Sequence, residues 1–147
     1  MQTISNRIVL SVGTWDVPHM GHAIFLQNAA KLGTLVVGIN SDKYIEQYKG
    51  KKPVFDLTER SSLVKMLDCV AGVVINNQDS LRPLLEEVKP DFLVIGSDWG
   101  DRYFEQIKLT KDELKELGVQ LVYLPYTKEI STTAIIGRVH DFLTTKA

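Results

Sequence analysis

Five short apolar segments alternate with helical patterns along the chain, and this alternation constrains the fold more than any other feature. The segments span residues 8–12, 35–39, 73–75, 92–95 and 119–124. Strands separated by helices need right-handed crossovers, which produce a parallel sheet covered on both faces. We therefore expect an α/β fold, a Rossmann-like doubly wound parallel sheet of about five strands with helices on both faces.

Local signals also mark where two of the helices begin. Asp56 with Glu59 and Thr110 with Glu113 have the spacing of a capping box, in which a side chain and a backbone amide satisfy each other in both directions. The second pair lies in residues 100–120, a segment whose charged helix either shapes a pocket or only covers the sheet.

Composition narrows the class of protein. The 147 residues, 44% of them hydrophobic, indicate one globular domain over residues 1–147. A net charge of −1 provides no field for steering nucleic acid, so we expect no nucleic-acid partner. The polar start and the lack of a long apolar run predict no signal peptide and no membrane insertion. The single cysteine, Cys69, fits a reducing, cytoplasmic location.

The segment GTWDVPHMGH, residues 13–22, follows the first predicted strand and leads into the first predicted helix. It places His19 and His22 where unpaired N–H groups and a partial positive charge attract anions. Gly21 between them lets a phosphate approach closely. The alternative for an isolated pair is two histidines that are solvated or satisfied within the core.

Three later loops also follow predicted strands, and such loops meet at one edge of a parallel sheet. The segment KGKKP, residues 49–53, supplies positive charge that neutralises phosphate, or else is a solvated loop. Asp98 in GSDWG offers a carboxylate to hydroxyl groups, or else serves as a turn residue. Ser131, Thr132 and Thr133 open the last helix, where hydroxyls cap the helix or bind phosphate oxygens.

Taken together and in this order, the four loops resemble one family along nearly the entire chain. The segments GTWDVPHMGH, KGKKPV with ER, VIGSDW and ISTT are similar to the HxGH signature and accompanying motifs of the nucleotidyltransferase superfamily, in the cytidylyltransferase family. The likeness is greatest to small glycerol-3-phosphate cytidylyltransferases. The KG-x-x-PV and ER segments also resemble ethanolamine-phosphate cytidylyltransferases and heptose-phosphate adenylyltransferases.

The resemblance implies three groups of site residues. The catalytic group would be His19, His22, Lys51 and Arg60. The nucleotide-binding group would be Thr14, Trp15, Gly21, Tyr126, Thr127, Ile130, Ser131, Thr132 and Thr133. The acceptor-binding group would be Lys49 and Asp98, with Arg82 added because a tryptophan of the glycerol family is missing after the third strand.

The implied reaction is transfer of CMP from CTP to a small phosphorylated alcohol. The preferred acceptor is glycerol-3-phosphate, which would give CDP-glycerol and pyrophosphate. Mg²⁺ would accompany the triphosphate, with no protein metal site, although Asp16 lies where it can touch the ion or cap the turn. The family further implies a homodimer. Tyr126 replaces an arginine of the glycerol enzymes, so ATP, phosphoethanolamine, a sugar phosphate and a catalytically silent nucleotide-binding domain remain alternatives.

Overall fold

The computed structural model describes residues 6–126 and 130–145. Its sheet has five parallel strands in the order β3-β2-β1-β4-β5. The strands are β1 Ile8–Gly13, β2 Thr34–Asn40, β3 Gly72–Asn76, β4 Phe92–Gly96 and β5 Gln120–Leu124. The chain builds outward from β1 to β3, then crosses to β4 on the other side of β1. This reversal opens a crevice beyond the carboxyl ends of β1 and β4, where ligands bind in such sheets.

Seven helices connect or follow the strands. They are α1 Met20–Ala30, α2 Asp42–Lys49, α3 Leu57–Lys65, α4 Arg82–Val88, α5 Arg102–Ile107, α6 Lys111–Glu116 and α7 Thr132–Thr144. Both predicted capping boxes are present, at the first turns of α3 and α6. Between β4 and β5 the chain forms two short helices, α5 and α6, where the sequence pattern indicated one.

Two hydrophobic clusters lie on opposite faces of the sheet. Neighbouring residues Val9 and Leu10 of β1 belong to different clusters, because successive side chains of a strand point to opposite faces. One cluster packs β1 and β2 against α1 and α3, and the other packs β1 and β4 against α4, α5 and α6. Each fully buried leucine contributes about 1.5–3 kcal/mol to this packing. The predicted α/β sheet with helices on both faces is confirmed.

The last helix packs differently from the others. No residue of α7, all of which is described, is buried. Its exposed apolar side chains include Val139, Phe142 and Leu143. Among the residues that the structure describes, no helix combines the length and the hydrophobicity needed to cross a membrane.

Candidate functional site

The two histidines lie in the turn between β1 and α1, as the sequence predicts. His19 is the N-cap of α1, and its Nδ1 accepts a hydrogen bond from the Gly21 amide at 3.0 Å. His22 Nδ1 accepts in turn from the His19 amide at 3.3 Å. Because each Nδ1 is an acceptor, each neutral ring carries its proton on Nε2. Both imidazoles are thus Nε2–H donors.

The environment of the rings keeps them neutral. They stack at a centroid distance of 3.8 Å, and His22 also meets the Trp15 indole edge-on at 5.3 Å. Burial, followed by the charge of His19, lowers the pKa of His22 to about 3, although Asp16 opposes the shift. Burial lowers the pKa of His19 as well. The pair therefore offers hydrogen bonds rather than positive charge at neutral pH.

The backbone before the histidines is strained and held by tertiary hydrogen bonds. Trp15 and Val17 have φ values of 55° and 45°, a region that L-residues seldom adopt and that is most unfavourable for β-branched Val17. Trp15 Nε1 donates to the Gly38 carbonyl at 2.9 Å, and Thr132 Oγ1 donates to the Asp16 carbonyl at 2.7 Å. These contacts fix a conformation that local sequence preference would not produce.

The carboxylate of Asp16 joins this turn to the basic segment. Its Oδ1 accepts from the amides of Val17 and Phe55, and its Oδ2 accepts from the Val54 amide, at 2.8–3.0 Å. Lys51 and Lys52 lie just before these anchored amides, and Lys49 ends α2. The predicted lysine cluster is therefore placed at the site by the same aspartate that belongs to the histidine motif.

Arg60 is not placed as expected. Its side chain is fully buried, and the guanidinium donates to the carbonyls of Thr14, Asn40 and Phe55 and to Asp42 Oδ1 at 2.5–2.9 Å. These four hydrogen bonds join the ends of β1 and β2 to the start of α3. Because the group faces carbonyls behind the site, the expectation that Arg60 belongs to the catalytic group is corrected to a structural role.

Arg82 also lies away from the site. It forms ion pairs with Glu113 at 3.0 Å and with Glu86 at 3.5 Å. The hydrogen bond to Glu113 is the main reason that the pKa of Arg82 is raised. Since these carboxylates hold it between α4 and α6, Arg82 is corrected from an acceptor ligand to a surface ion pair.

The loop after β4 brings Asp98 against Tyr126. A Cβ added to Gly96 would lie 2.5 Å from Asp98 Oδ1 and 3.3 Å from Tyr126 Cβ, so only glycine leaves room for both. The Tyr126 ring meets Phe25 edge-on at 6.2 Å. Burial, and then the charge of Asp98, raise the pKa of Tyr126. Its phenol therefore stays protonated and can donate a hydrogen bond.

The start of α7 lies against the turn that contains the two histidines. Ser131 Oγ accepts from the Ala134 amide at 3.0 Å and so acts as the N-cap. A Cβ on Gly21 would lie 2.9 Å from the Ile130 carbonyl, so glycine at this position leaves room for the segment before α7. Thr127 lies outside the described residues.

A cavity of about 400 Å³, the main cavity, lies where these loops meet. Nine predicted site residues line it: Thr14, Trp15, His22, Lys49, Lys51, Asp98, Tyr126, Thr132 and Thr133. Asp16, Lys52 and Trp99 line it as well. Four other predicted site residues do not line the main cavity but lie close to residues that do: His19, Gly21, Ile130 and Ser131.

A second cavity of about 200 Å³, the side cavity, adjoins the first. The two share Val12, Gly13, Thr14, Lys49 and Trp99. Sequence reasoning missed the polar residues that line the side cavity: Asn40, Tyr44, Tyr48, Asn76, Asp79, Tyr103 and Gln106. They come from α2, α5, the ends of β2 and β3 and the loop after β3, so no single motif contains them. The available signals were the charged segment 100–120 and the tryptophan missing after the third strand.

The described residues contain no cluster of three or more histidine, cysteine, aspartate or glutamate side chains that could hold a metal ion. Asp16 lines the main cavity, but three amides already occupy its carboxylate. These residues do not fit a site in which the protein alone supplies the ligands for Mg²⁺.

Several known proteins are similar to this chain in sequence. A family model described as cytidylyltransferase-like matches residues 10–138. The bifunctional protein HldE of Helicobacter pylori (strain J99) is 37% identical over 136 residues, which are 90% of this chain and 27% of that protein. The D-beta-D-heptose 1-phosphate adenylyltransferase of Bordetella bronchiseptica is 33% identical, and the match covers 91% of this chain and 82% of that protein. The chain thus spans about a quarter of the HldE relatives.

Solved structures of other proteins are also similar to this chain. A lipopolysaccharide core biosynthesis protein from Thermoplasma volcanium superposes with a TM-score of 0.66 at 29% identity, covering 83% of this chain and 97% of that one. Pantothenate synthetase from Thermus thermophilus superposes with a TM-score of 0.58 at 12% identity, covering 84% of this chain and 57% of that one, which shows the fold alone. Since the family model extends from β1 into α7, the chain belongs to the cytidylyltransferase-like family of nucleotidyltransferases.

Proposed function

We propose that this chain transfers a nucleotidyl group from a nucleoside triphosphate, preferentially ATP, to the phosphate of a sugar phosphate. The observation that carries the proposal is the pair of adjoining cavities. The main cavity gathers His22, three lysines and the start of α7, which are groups that bind phosphates. The side cavity offers hydroxyl, amide and carboxylate groups, which suit a polyhydroxylated acceptor.

The reaction needs no protein nucleophile. An anionic oxygen of the acceptor phosphate attacks the α-phosphorus, a new P–O bond forms, and the bond to the departing pyrophosphate breaks. The protein must align two polyanions that repel each other and stabilise the charge on the transferred group and the leaving group. Mg²⁺ remains a prediction, and it would supply charge neutralisation together with the triphosphate.

The neutral histidines and the charged lysines have different roles in this reaction. His22 donates from Nε2 to a phosphate oxygen without carrying positive charge, because its pKa lies far below neutrality. His19 Nε2 is also without a hydrogen-bond partner among the described residues, but it is buried and does not line the main cavity, so a direct contact with phosphate would require the ring to move. The lysines then supply the positive charge. Such a site keeps its hydrogen-bond donors fixed while the charge moves from the acceptor to pyrophosphate.

The position of each lysine supports a distinct role. Lys49 lines both cavities, and its Nζ lies 5.7 Å from the centroid of the Tyr48 ring. This position fits the acceptor phosphate at the boundary between the two cavities. Lys51 lines only the main cavity, which fits the nucleotide. Thr132 and Thr133 place the N-terminus of a 13-residue helix at the same cavity, where its dipole favours phosphate.

One observation favours ATP and a sugar phosphate over the CTP and glycerol-3-phosphate expected from the sequence. The Bordetella bronchiseptica relative is named a heptose 1-phosphate adenylyltransferase. Tyr126, where the glycerol enzymes have arginine, lines the main cavity, and its ring can stack on either base, so it fits ATP as well as CTP. The preference for CTP and glycerol-3-phosphate has no comparable support. The homodimer and the cytoplasmic location remain predictions.

Pyrophosphate release tests the proposal. ATP and CTP are each combined with D-β-D-heptose 1-phosphate, glucose 1-phosphate, glycerol-3-phosphate and phosphoethanolamine in the presence of Mg²⁺. We expect turnover with ATP and a sugar 1-phosphate. Turnover only with CTP and glycerol-3-phosphate would restore the first expectation. Silence in every combination, with ATP or CTP still raising Tm, would indicate a nucleotide-binding domain without catalytic activity.

A further inference from the structure

Tyr103 of α5 has a buried hydroxyl that the folded chain does not satisfy. The residue is 3% exposed, and its ring meets Trp99 edge-on at a centroid distance of 5.6 Å. No described residue forms a hydrogen bond with its hydroxyl. Buried polar groups are almost always paired, so an unpaired hydroxyl in a core of leucine and isoleucine needs an explanation.

The neighbouring tyrosine makes the contrast clear. Tyr44 of α2 is 5% exposed, but its hydroxyl accepts a hydrogen bond from Gln106 Nε2 at 3.0 Å. Both tyrosines line the side cavity. Burial, and then the proximity of Tyr44, raise the pKa of Tyr103. The Tyr103 hydroxyl therefore remains protonated and is able both to donate and to accept.

The other walls of the side cavity indicate what would meet this hydroxyl. Asn40, Asn76 and Gln106 present neutral amides, and Asp79 presents a carboxylate. An anionic group deep in the cavity would be repelled by Asp79, whereas a sugar or polyol hydroxyl can donate to it. The positive charge of Lys49 lies at the boundary with the main cavity. The chemistry thus fits a molecule with phosphate at Lys49 and neutral hydroxyl groups further inside.

We propose that Tyr103 is a specificity-determining residue, whose hydroxyl forms a hydrogen bond with a hydroxyl group of the acceptor's sugar or polyol body. This inference rests on the proposed function, because it assigns the side cavity to the acceptor. The free protein bears the cost of the unpaired hydroxyl, and the bound acceptor removes it. An acceptor that lacks the matching hydroxyl leaves Tyr103 unpaired and is therefore rejected.

The test compares Tyr103→Phe with Tyr123→Phe. Tyr123 is the matched control, because its exposed hydroxyl makes only a 3.4 Å contact with the Gly100 carbonyl and it lines neither cavity. For Tyr103→Phe, we expect kcat/KM for the sugar 1-phosphate to fall about tenfold, the worth of one hydrogen bond, with KM for ATP unchanged. Tm should equal or exceed that of the wild type, because the variant removes an unpaired group. Tyr123→Phe should change neither kinetic value.

Monodeoxy derivatives of glucose 1-phosphate identify the hydroxyl involved. One derivative should lose about tenfold in affinity for the wild type and nothing for Tyr103→Phe, which is the coupling expected of a direct contact. Calorimetric binding of the sugar phosphates alone separates this inference from the proposed reaction. Binding that is weakened by Tyr103→Phe without any turnover would refute the reaction and retain the contact. Unchanged acceptor binding in Tyr103→Phe, a lowered Tm, or no sugar phosphate binding to the wild type would overturn the inference.

Discussion

Replacing Arg60 by methionine tests the role that the structure gives to this buried guanidinium. Methionine fills much of the space but removes all four hydrogen bonds, which end on three backbone carbonyls and on Asp42. Breaking a buried ion pair by removing one partner costs about 3–5 kcal/mol. The Asp42 side chain is 42% exposed, so water recovers part of its solvation and the lower end of the range applies.

The expected loss of stability in Arg60→Met is measurable by thermal unfolding. About 3 kcal/mol lowers Tm by on the order of 10 °C in a chain of this length. Arg82→Met is the matched control: it removes a guanidinium with exposed partners on α4 and α6, and should shift Tm by no more than about 2 °C.

Activity separates this role from direct phosphate binding. Both variants are assayed for pyrophosphate release at a temperature where each is folded. If Arg60 contacts phosphate, Arg60→Met would lose activity while keeping its Tm within about 2 °C of the wild type. That combination would refute the structural role. A large fall in Tm, with any loss of activity explained by the displaced ends of β1 and β2, would support it.

Four further outcomes follow from the site. His22→Ala should lower kcat about 100-fold through loss of a fixed donor, as measured by pyrophosphate release. The free energy of unfolding should fall as pH decreases from 6.5 toward about 3, because unfolded His22 binds a proton that the folded site resists; His22→Gln should flatten this slope in acid-unfolding curves. Lys49→Ala should raise KM for the acceptor and Lys51→Ala KM for the nucleotide, and the reverse pattern would exchange their roles. Gly96→Ala should raise KM for the nucleotide by displacing Asp98 and Tyr126, which line only the main cavity and lie 2.5 Å (Oδ1) and 3.3 Å (Cβ) from the new Cβ position.

The sequence predicts the sheet because the relevant signals are local. An apolar segment such as 92–95 predicts a buried strand by itself, and Asp56 with Glu59 marks the first turn of α3 without reference to the rest of the chain. The convergence of the four loops follows from the parallel arrangement of the strands. These inferences need only short segments and one topological rule.

The direction of a long side chain is not local information. Arg60 and Arg82 look alike in the sequence, yet one is fully buried behind the main cavity and the other is paired on the surface. What decides their placement is the presence of unpaired carbonyls at the ends of β1 and β2, which only the folded chain reveals. The side cavity was missed for the same reason, since Tyr44 and Tyr103 are far apart in sequence and neither belongs to a motif.

The two short helices between β4 and β5 have a consequence for how the range of acceptors can be altered. Tyr103 and Gln106 belong to this excursion, whereas the histidines, the lysines and the hydroxyls of α7 lie outside it. Exchanging residues 100–118 for a segment of different shape would therefore rebuild one wall of the side cavity while leaving the histidines, the lysines and the start of α7 in place. Under the proposed function, the groups that would bind phosphate are therefore carried by different segments from the one that would select among acceptors.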